Sequence, residues 1–319
     1  MNWQWRWNIT LRGHWASVSA LLWLLGWFAN LLTKIYMTVL EAIQKSTEFL
    51  AKKGVESPRL QTELLLAHLL KMPRMKLYLN FDRVLLPAEI DSLRELVKRR
   101  GQREPLQHIV GSTSFCGYEI AVSRHALIPR PETEMLAELG WKFLAICLSP
   151  LVTALDFGTG TGCIAIALAA KCPNAKITAL DVSAEALALA KQNALQNKVA
   201  EQIEFFHGDG FTALKSGIEF DLLVSNPPYI ASAEIETLDP EVKDFDPRGA
   251  LDGGADGMDF YRRLAVEAKP FLKVDGKIML EFGDGQADDL KKIFENEKWI
   301  VEAVQEDYSH RARILIAHK

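Results

Sequence analysis

The chain has 319 residues, 49% of them hydrophobic and 24% charged, with a formal net charge of −4, the composition of a folded protein with room for one larger and one smaller domain. This balance excludes a disordered or fibrous chain and argues against a protein that works by coating nucleic-acid phosphates. Four cysteines, Cys116, Cys147, Cys163 and Cys172, form no CxxC pair and no His-Cys cluster, so neither a disulfide framework nor a metal site is expected.

Residues 1–36 differ from the rest. They hold six of the eight tryptophans and no acidic residue, and their three basic residues leave 34 basic against 41 acidic side chains, a net −7, for the remainder. The stretch "WASVSALLWLLGWFANLL" (15–32) is marginal in length for a membrane span. Three readings are open for it: an extension upstream of a true start at Met37, a membrane anchor, or a secretory signal. The first is preferred because a regular amphipathic pattern begins directly after Met37.

From Val39 to about Arg100, apolar residues recur at spacings of three and four, among them Val39, Ile43, Leu50, Ile90, Leu93 and Val97. Gly54, Pro58, Pro73 and Pro87 punctuate them. A helical domain of several short helices is expected over 37–104. "KRRGQREP" (98–105) closes it, read either as a solvated helix end whose charges suit the dipole or as a contact for a nucleic-acid-rich partner. Short apolar runs broken by Gly111 and Gly117 predict a β-hairpin linker over 105–128.

From 129 to 319 strand-like and helix-like segments alternate. "VTALDFG", "AKITALDVS", "QIEFFHGD", "FDLLVSN" and "GKIMLEFG" are short apolar runs, and "CIAIALAAKC", "AEALALAKQNALQN", "DFYRRLAVEAKPFL" and "QADDLKKIFENE" carry helical spacing. This predicts an α/β domain with a mainly parallel sheet covered on both faces. "WIVEAVQEDYSHRARILIAHK" predicts a closing antiparallel pair.

Ligands of such sheets sit at the carboxyl ends of the strands. The first strand ends in "DFGTGTG" (156–162), whose Gly158, Gly160 and Gly162, separated by Thr159 and Thr161, follow GxGxG rather than the dinucleotide spacing GxGxxG. No GKS or GKT follows, which disfavours a nucleoside triphosphate. Asp181 ends the second strand, where a carboxylate can accept from both ribose hydroxyls, and Asp209 with Gly210 ends the third, where an adenine could be held. An acid at a strand end is often only the N-cap of the next helix, but three such features in strand order describe an adenosine-bearing cofactor without phosphates, S-adenosyl-L-methionine.

The fourth strand ends in "SNPPYI". Pro227 and Pro228 lack amide hydrogens and have fixed φ, so they end the ladder in a stiff elbow. Asn226, pushed towards extended geometry by the following proline, offers its side-chain carbonyl beside the Pro227 carbonyl. Two acceptors can hold an NH2 group and aim its lone pair at a methyl carbon, while Tyr229 can cover the flat face of a planar amide or base. The alternative is a proline elbow beside a buried tyrosine with no chemical role.

With "SPRLQTELLLAHLL", "RRGQREPLQHIVG", "FCGYEIAV", "ALIPRPETE", "ALDGGADGMDFYRRL" and "LEFGDGQ", these segments resemble the HemK-type protein-(glutamine-N5) methyltransferases that act on release factors. The likeness runs from about Met37 to the C-terminus. It implies a class I methyltransferase fold with a Rossmann-like seven-stranded sheet and a small helical domain that helps dock the substrate. It further implies cofactor contacts from Gly158, Thr159, Gly160, Thr161, Gly162, Asp181, Asp209, Gly210 and Asn226. Substrate binding falls to Asn226, Pro227, Pro228 and Tyr229, with Asn226, Pro227 and Tyr229 as the catalytic set. The implied substrate is the glutamine of the Gly-Gly-Gln motif in class 1 peptide-chain release factors. A cytoplasmic monomer is expected, without stable nucleic-acid binding and with membrane contact only if 1–36 is real. Alternatives are an adenine-N6 nucleic-acid methyltransferase, since NPPY is shared with those enzymes, and the glutamine methyltransferase of a ribosomal protein, which "IPRPETE" disfavours. Glu132 and Glu134 in that segment also make a good first helical turn. "HIVG", "FDP" (245–247) and "EFG" depart mildly from the family pattern.

Overall fold

Thr38 opens the first helix of the computed structural model, which describes residues 37–148, 151–307 and 309–319; the expectations for 1–36 lie outside the described residues. Its hydroxyl accepts from the Glu41 backbone N–H (3.2 Å), and the Glu41 carboxylate accepts from the Thr38 N–H (3.0 Å). This reciprocal cap fixes the start of the helix Val39–Lys52, and such a cap contributes about 1 kcal/mol. Helices Pro58–Leu69, Arg74–Tyr78 and Pro87–Gly101 follow, and the two-residue strands Met37–Thr38 (β1) and Val84–Leu85 (β2) pair antiparallel. Both strands are too short for their periodicity to be read from sequence. Val39, Ile43, Leu50, Leu65, Leu93 and Val97 are buried in this unit.

Two polar groups lie inside it. Glu63 accepts from Arg59 (3.0 Å), Arg74 (3.1 Å) and the Tyr78 hydroxyl (2.7 Å). Arg100, inside the run "KRRGQREP", is 3% exposed and donates from Nε to Gln61 (2.8 Å). That run is therefore not wholly a solvated helix end, because one of its guanidinium groups packs into the helical unit.

The chain divides after Arg103, and the second unit runs from Glu104 to Lys319. Helix Leu106–Val110 leads into strands Ser112–Phe115 (β3) and Tyr118–Ala121 (β4). Cys116 (φ 51°) and Gly117 (φ 83°) both take left-handed conformations between them, the backbone of a two-residue hairpin turn whose twist matches its strands. The hairpin, expected as a linker, is packed onto this unit. The Asn193 carboxamide accepts from Ala121 N–H (2.8 Å) and donates to Ala121 O (3.0 Å), and Phe115 and Ile120 enter the core. Glu134 accepts from the Cys116 N–H (2.8 Å), a structural use of one "PETE" acid.

The large sheet contains Thr153–Phe157 (β5), Lys176–Asp181 (β6), Ile203–His207 (β7), Phe220–Ser225 (β8), Leu272–Glu281 (β9), Ile300–Glu306 (β10) and Ala312–His318 (β11). Their order is β10-β11-β9-β8-β5-β6-β7. Neighbours from β7 to β9 pair in parallel, and β11 runs antiparallel to both β9 and β10. Helices Pro131–Ile146 and Cys163–Lys171 pack in the core on one face, and Asp259–Glu267 and Ala287–Asn296 in the core on the other. With both faces covered, β8 is buried at all six positions, which is why these strands read as unbroken apolar runs. The strand order reverses between β5 and β8, which opens a crevice at their carboxyl ends. Among the described residues no helix is long and apolar enough to cross a membrane.

Candidate active site

The loop after β5 is held from below by Asp156. This carboxylate is fully buried, and its Oδ2 accepts from the Thr159 hydroxyl (2.6 Å) and the Ala165 N–H (3.1 Å), so it ties the loop to the first turn of the next helix. Burial pushes its pKa up to about 7 against those two hydrogen bonds. Gly158 and Thr159 N–H both donate to Leu180 O (2.9 Å each), and Gly160 N–H donates to Asp181 Oδ2 (2.8 Å). Asp181 Oδ1 accepts from Ser183 N–H (2.9 Å). The acid at the end of β6 is thus oriented by two backbone amides, and each oxygen keeps a second lone pair.

Gly162 (φ +80°) ends the loop where a Cβ would lie 3.0 Å from Ala190 Cβ and 3.2 Å from its Cα. Gly162→Ala is expected to cost about 1–2 kcal/mol through the left-handed backbone alone, with further cost from moving Ala190. Chemical denaturation checks this: a loss below about 0.5 kcal/mol would mean that the loop adapts.

At the end of β7, Asp209 is exposed and its Oδ1 pairs with Arg263 Nη1 (2.5 Å). Arg263 Nη2 would lie 2.1 Å from a Cβ at Gly210, so the missing side chain lets the guanidinium lie over the backbone.

The end of β8 is fixed to β5 by the Ser225 hydroxyl, which donates to Phe157 O (2.6 Å). Next to it Asn226 Nδ2 donates to Thr133 Oγ1 (3.1 Å), a residue on the first turn of helix Pro131–Ile146. Beyond the prolines, Tyr229 O accepts from Gln286 Nε2 (2.8 Å), and Ile230 exchanges backbone hydrogen bonds with Leu251 and Gly253. The elbow is anchored on both sides.

The glycine loop from Gly158 to Thr161, Asp181, Asp209 and Gly210 line one cavity, and Asn226, Pro227 and Pro228 line it too; it holds about 1220 Å³ of empty space, its open mouth included. Gly162 and Tyr229 are not in its wall. The Tyr229 ring sits partly buried against the core, with Cδ2 2.9 Å from where a Gly283 Cβ would be.

Sequence reasoning did not select Arg130, Thr133 or Arg263, all of which line the cavity. Arg130 Nη2 donates to Asp246 (2.6 Å), whose side chain is fully buried. Burial pushes Asp246 up in pKa, with the Arg130 charge opposing. This pair joins "IPRPETE" to "FDPRGAL", the only signal being that both segments were conspicuous. Both arginines at the cavity are thus matched by carboxylates. Glu281, at the end of β9, is 1% exposed; burial pushes its pKa up to about 7, opposed by hydrogen bonding from Thr133, the Arg313 charge and, more weakly, the Asn226 amide.

Residues 41–111 match the family described as PrmC N-terminal domain, and residues 137–239 match the methyltransferase small domain. A release factor glutamine methyltransferase of Geobacter sulfurreducens is 43% identical over 258 residues, covering 81% of this chain and 88% of that protein. One of the same description from Chlorobaculum tepidum is 42% identical over 258 residues, with 79% and 87% covered. The solved structure of a protein-(glutamine-N5) methyltransferase (release factor-specific) from Alicyclobacillus acidocaldarius is 28% identical, with 60% of this chain and 93% of that one covered and a TM-score of 0.37. Relatives this similar over four-fifths of the sequence mean that the chain belongs to the release factor glutamine methyltransferase family.

Proposed function

We propose that the protein transfers a methyl group from S-adenosyl-L-methionine to the side-chain amide nitrogen, N5, of the glutamine in the Gly-Gly-Gln motif of class 1 peptide-chain release factors. The relationship to the two enzymes at 42–43% identity carries this reading, and the cavity supports it, because an acceptor-bearing elbow and an oriented acid at a glycine loop share one space.

The residues fit the cofactor. Asp181 keeps free lone pairs for ribose hydroxyls, and the glycine loop brings bare backbone close. Among the described residues, the cavity's two arginines are paired with Asp246 and Asp209, an arrangement that suits a nucleoside without phosphates. When bound, the cofactor supplies a methyl on a positively charged sulfur.

The protein's own part is to hold the nucleophile. An amide nitrogen is weak because its lone pair is delocalised into the carbonyl. Asn226 Oδ1 and the Pro227 carbonyl accept its two hydrogens and orient it, and the fixed φ of the prolines keeps the two acceptors in register. A nitrogen held in this way would take the methyl as the cofactor's C–S bond breaks, and its extra proton would leave to solvent. The docking of the release factor on the helical unit and a cytoplasmic site of action belong to the same reading.

A direct test offers the purified protein labelled cofactor with a release factor, with that factor's Gly-Gly-Gln glutamine replaced, and with adenine-containing DNA. Label on the unaltered factor alone is expected. Label on DNA alone would instead make the protein an adenine methyltransferase.

A further inference from the structure

Behind the cavity wall lies a polar group that the proposed reaction does not use. Glu281 follows Leu280, which pairs with Ser225 across β8 and β9, so the carboxylate stands beside the point where Asn226 leaves the sheet. Its Oε2 has no hydrogen-bond partner among the described residues. Glu281 does not line the cavity, whereas Thr133 and Asn226 do. The carboxylate therefore stands behind the wall, placed to act on the residues that form it.

Hydrogen-bond direction makes that action specific. An ionised carboxylate can only accept, whereas a threonine hydroxyl can do either. The Thr133 and Asn226 side chains both favour the charged Glu281 carboxylate as hydrogen-bond donors, and a Thr133 hydroxyl that gives its hydrogen to Glu281 keeps its lone pairs for a donor. The donor present is Asn226 Nδ2, 3.1 Å away. With Nδ2 committed backwards, Oδ1 of the same planar amide faces forwards. A flipped Asn226 would present an NH2 to the substrate's NH2 and hold nothing.

We propose that Glu281 and Thr133 are positioning residues that fix the Asn226 carboxamide in its acceptor-forward orientation. This rests on the reading of Asn226 as the substrate-amide acceptor, and it extends that reading to what sets the acceptor's direction. It also explains why an acid is kept in the apolar run "GKIMLEFG": a neutral amide at 281 could donate as well as accept, and the chain of hydrogen bonds would lose its direction.

The charged and titratable groups facing Glu281 are Arg313 on β11, Glu132 on helix Pro131–Ile146, Tyr229 in the elbow and Tyr261 on helix Asp259–Glu267. Arg313 favours the charged carboxylate and Glu132 opposes it. With a pKa of about 7, Glu281 loses its acceptor-only character as pH falls, so kcat should drop below about pH 7.

The test uses the full chain and its Thr133→Ser, Thr133→Val, Glu281→Gln and Asn226→Ala variants. Thr133→Val and Glu281→Gln should lower kcat on a release factor about 10-fold or more, with the factor's KM and the cofactor's Kd within about twofold. Thr133→Ser, which restores the hydroxyl, should recover most of the rate. The fall in kcat below pH 7 should disappear in Glu281→Gln. Independently of turnover, the side-chain 15N–1H pair of Asn226, assigned by its loss in Asn226→Ala, should exchange slowly in the unaltered protein and in Thr133→Ser, and fast in Thr133→Val. Equal rates for Thr133→Val and the unaltered protein, or a Thr133→Ser as slow as Thr133→Val, would overturn the relay. Slow exchange in a protein that leaves release factors unmethylated would support the relay and remove the release-factor reading instead.

Discussion

Replacing Asn226 with alanine is expected to lower kcat on a release factor by about 10²–10³-fold, the range seen when one fixed polar group aimed at a reacting centre is removed. The cofactor's Kd should stay within about threefold. The two effects separate because of where the groups are held. The Asn226 side chain is tied to Thr133 at the end of β8. The glycine loop and Asp181 are tied to each other and to Leu180, at the ends of β5 and β6. Alanine removes an acceptor from the proposed amide pocket and touches none of those bonds. Asn226→Asp sharpens the test. It keeps an oxygen in place but discards the donor to Thr133 and sets a second carboxylate beside buried Glu281, so one of the two must take up a proton. Its kcat should be nearly as low as that of alanine, with a stronger dependence on pH. Radiolabel kinetics and calorimetric titration of the cofactor give both numbers. Loss of cofactor binding in Asn226→Ala would move Asn226 to the cofactor's side of the cavity, and an unchanged kcat would remove it from the pocket.

Much of this site could be read from spacing because its parts are local in sequence. "DFGTGTG" is a loop whose glycines take positive φ, and Asp181 closes a strand that is apolar because helices cover it. The elbow could be read because two prolines cannot continue a parallel ladder. The orienting contacts were out of reach for the opposite reason. Arg130 and Asp246 lie 116 positions apart and Asp209 and Arg263 lie 54 apart, and no periodicity joins residues that meet only when loops from different strands converge. Thr133 was visible only as part of a good helical first turn. Glu281 was visible only as part of the run "GKIMLEFG" and of the "EFG" departure, and its burial follows from β9 lying between β11 and β8 with no solvent face there. The hairpin's strands were legible from their short apolar runs, but its attachment to the α/β unit depends on Asn193, 72 positions downstream of Ala121.

Glu281→Gln should make the protein more stable at pH 8 and less active at the same pH. The sign follows from proton binding. Burial pushes the Glu281 pKa up to about 7 in the folded protein, against 4.5 for a free glutamate side chain. Below pH 4.5 both states hold the proton and the group costs nothing. As pH rises from 4.5 towards 7 the unfolded chain releases the proton and the folded one keeps it, so stability falls; above 7 the loss is complete, at about 3 kcal/mol. Glutamine cannot ionise and resembles the protonated acid in shape, so the variant escapes this loss. Its advantage should be about 1 kcal/mol at pH 5 and about 3 kcal/mol at pH 8, a Tm rise of roughly 5–10 °C at the higher pH. Asp156, also pushed up to about 7 by burial, destabilises both proteins alike and cancels in the difference. Urea unfolding at the two pH values checks the prediction, and an advantage that does not grow from pH 5 to pH 8 would mean that Glu281 is not held protonated in the folded state. A residue whose only task was packing would lose stability and activity together when replaced. An acid kept at a cost of stability because its charge orients Asn226 should lose one and gain the other, as expected where an active site is maintained against the fold's own optimum.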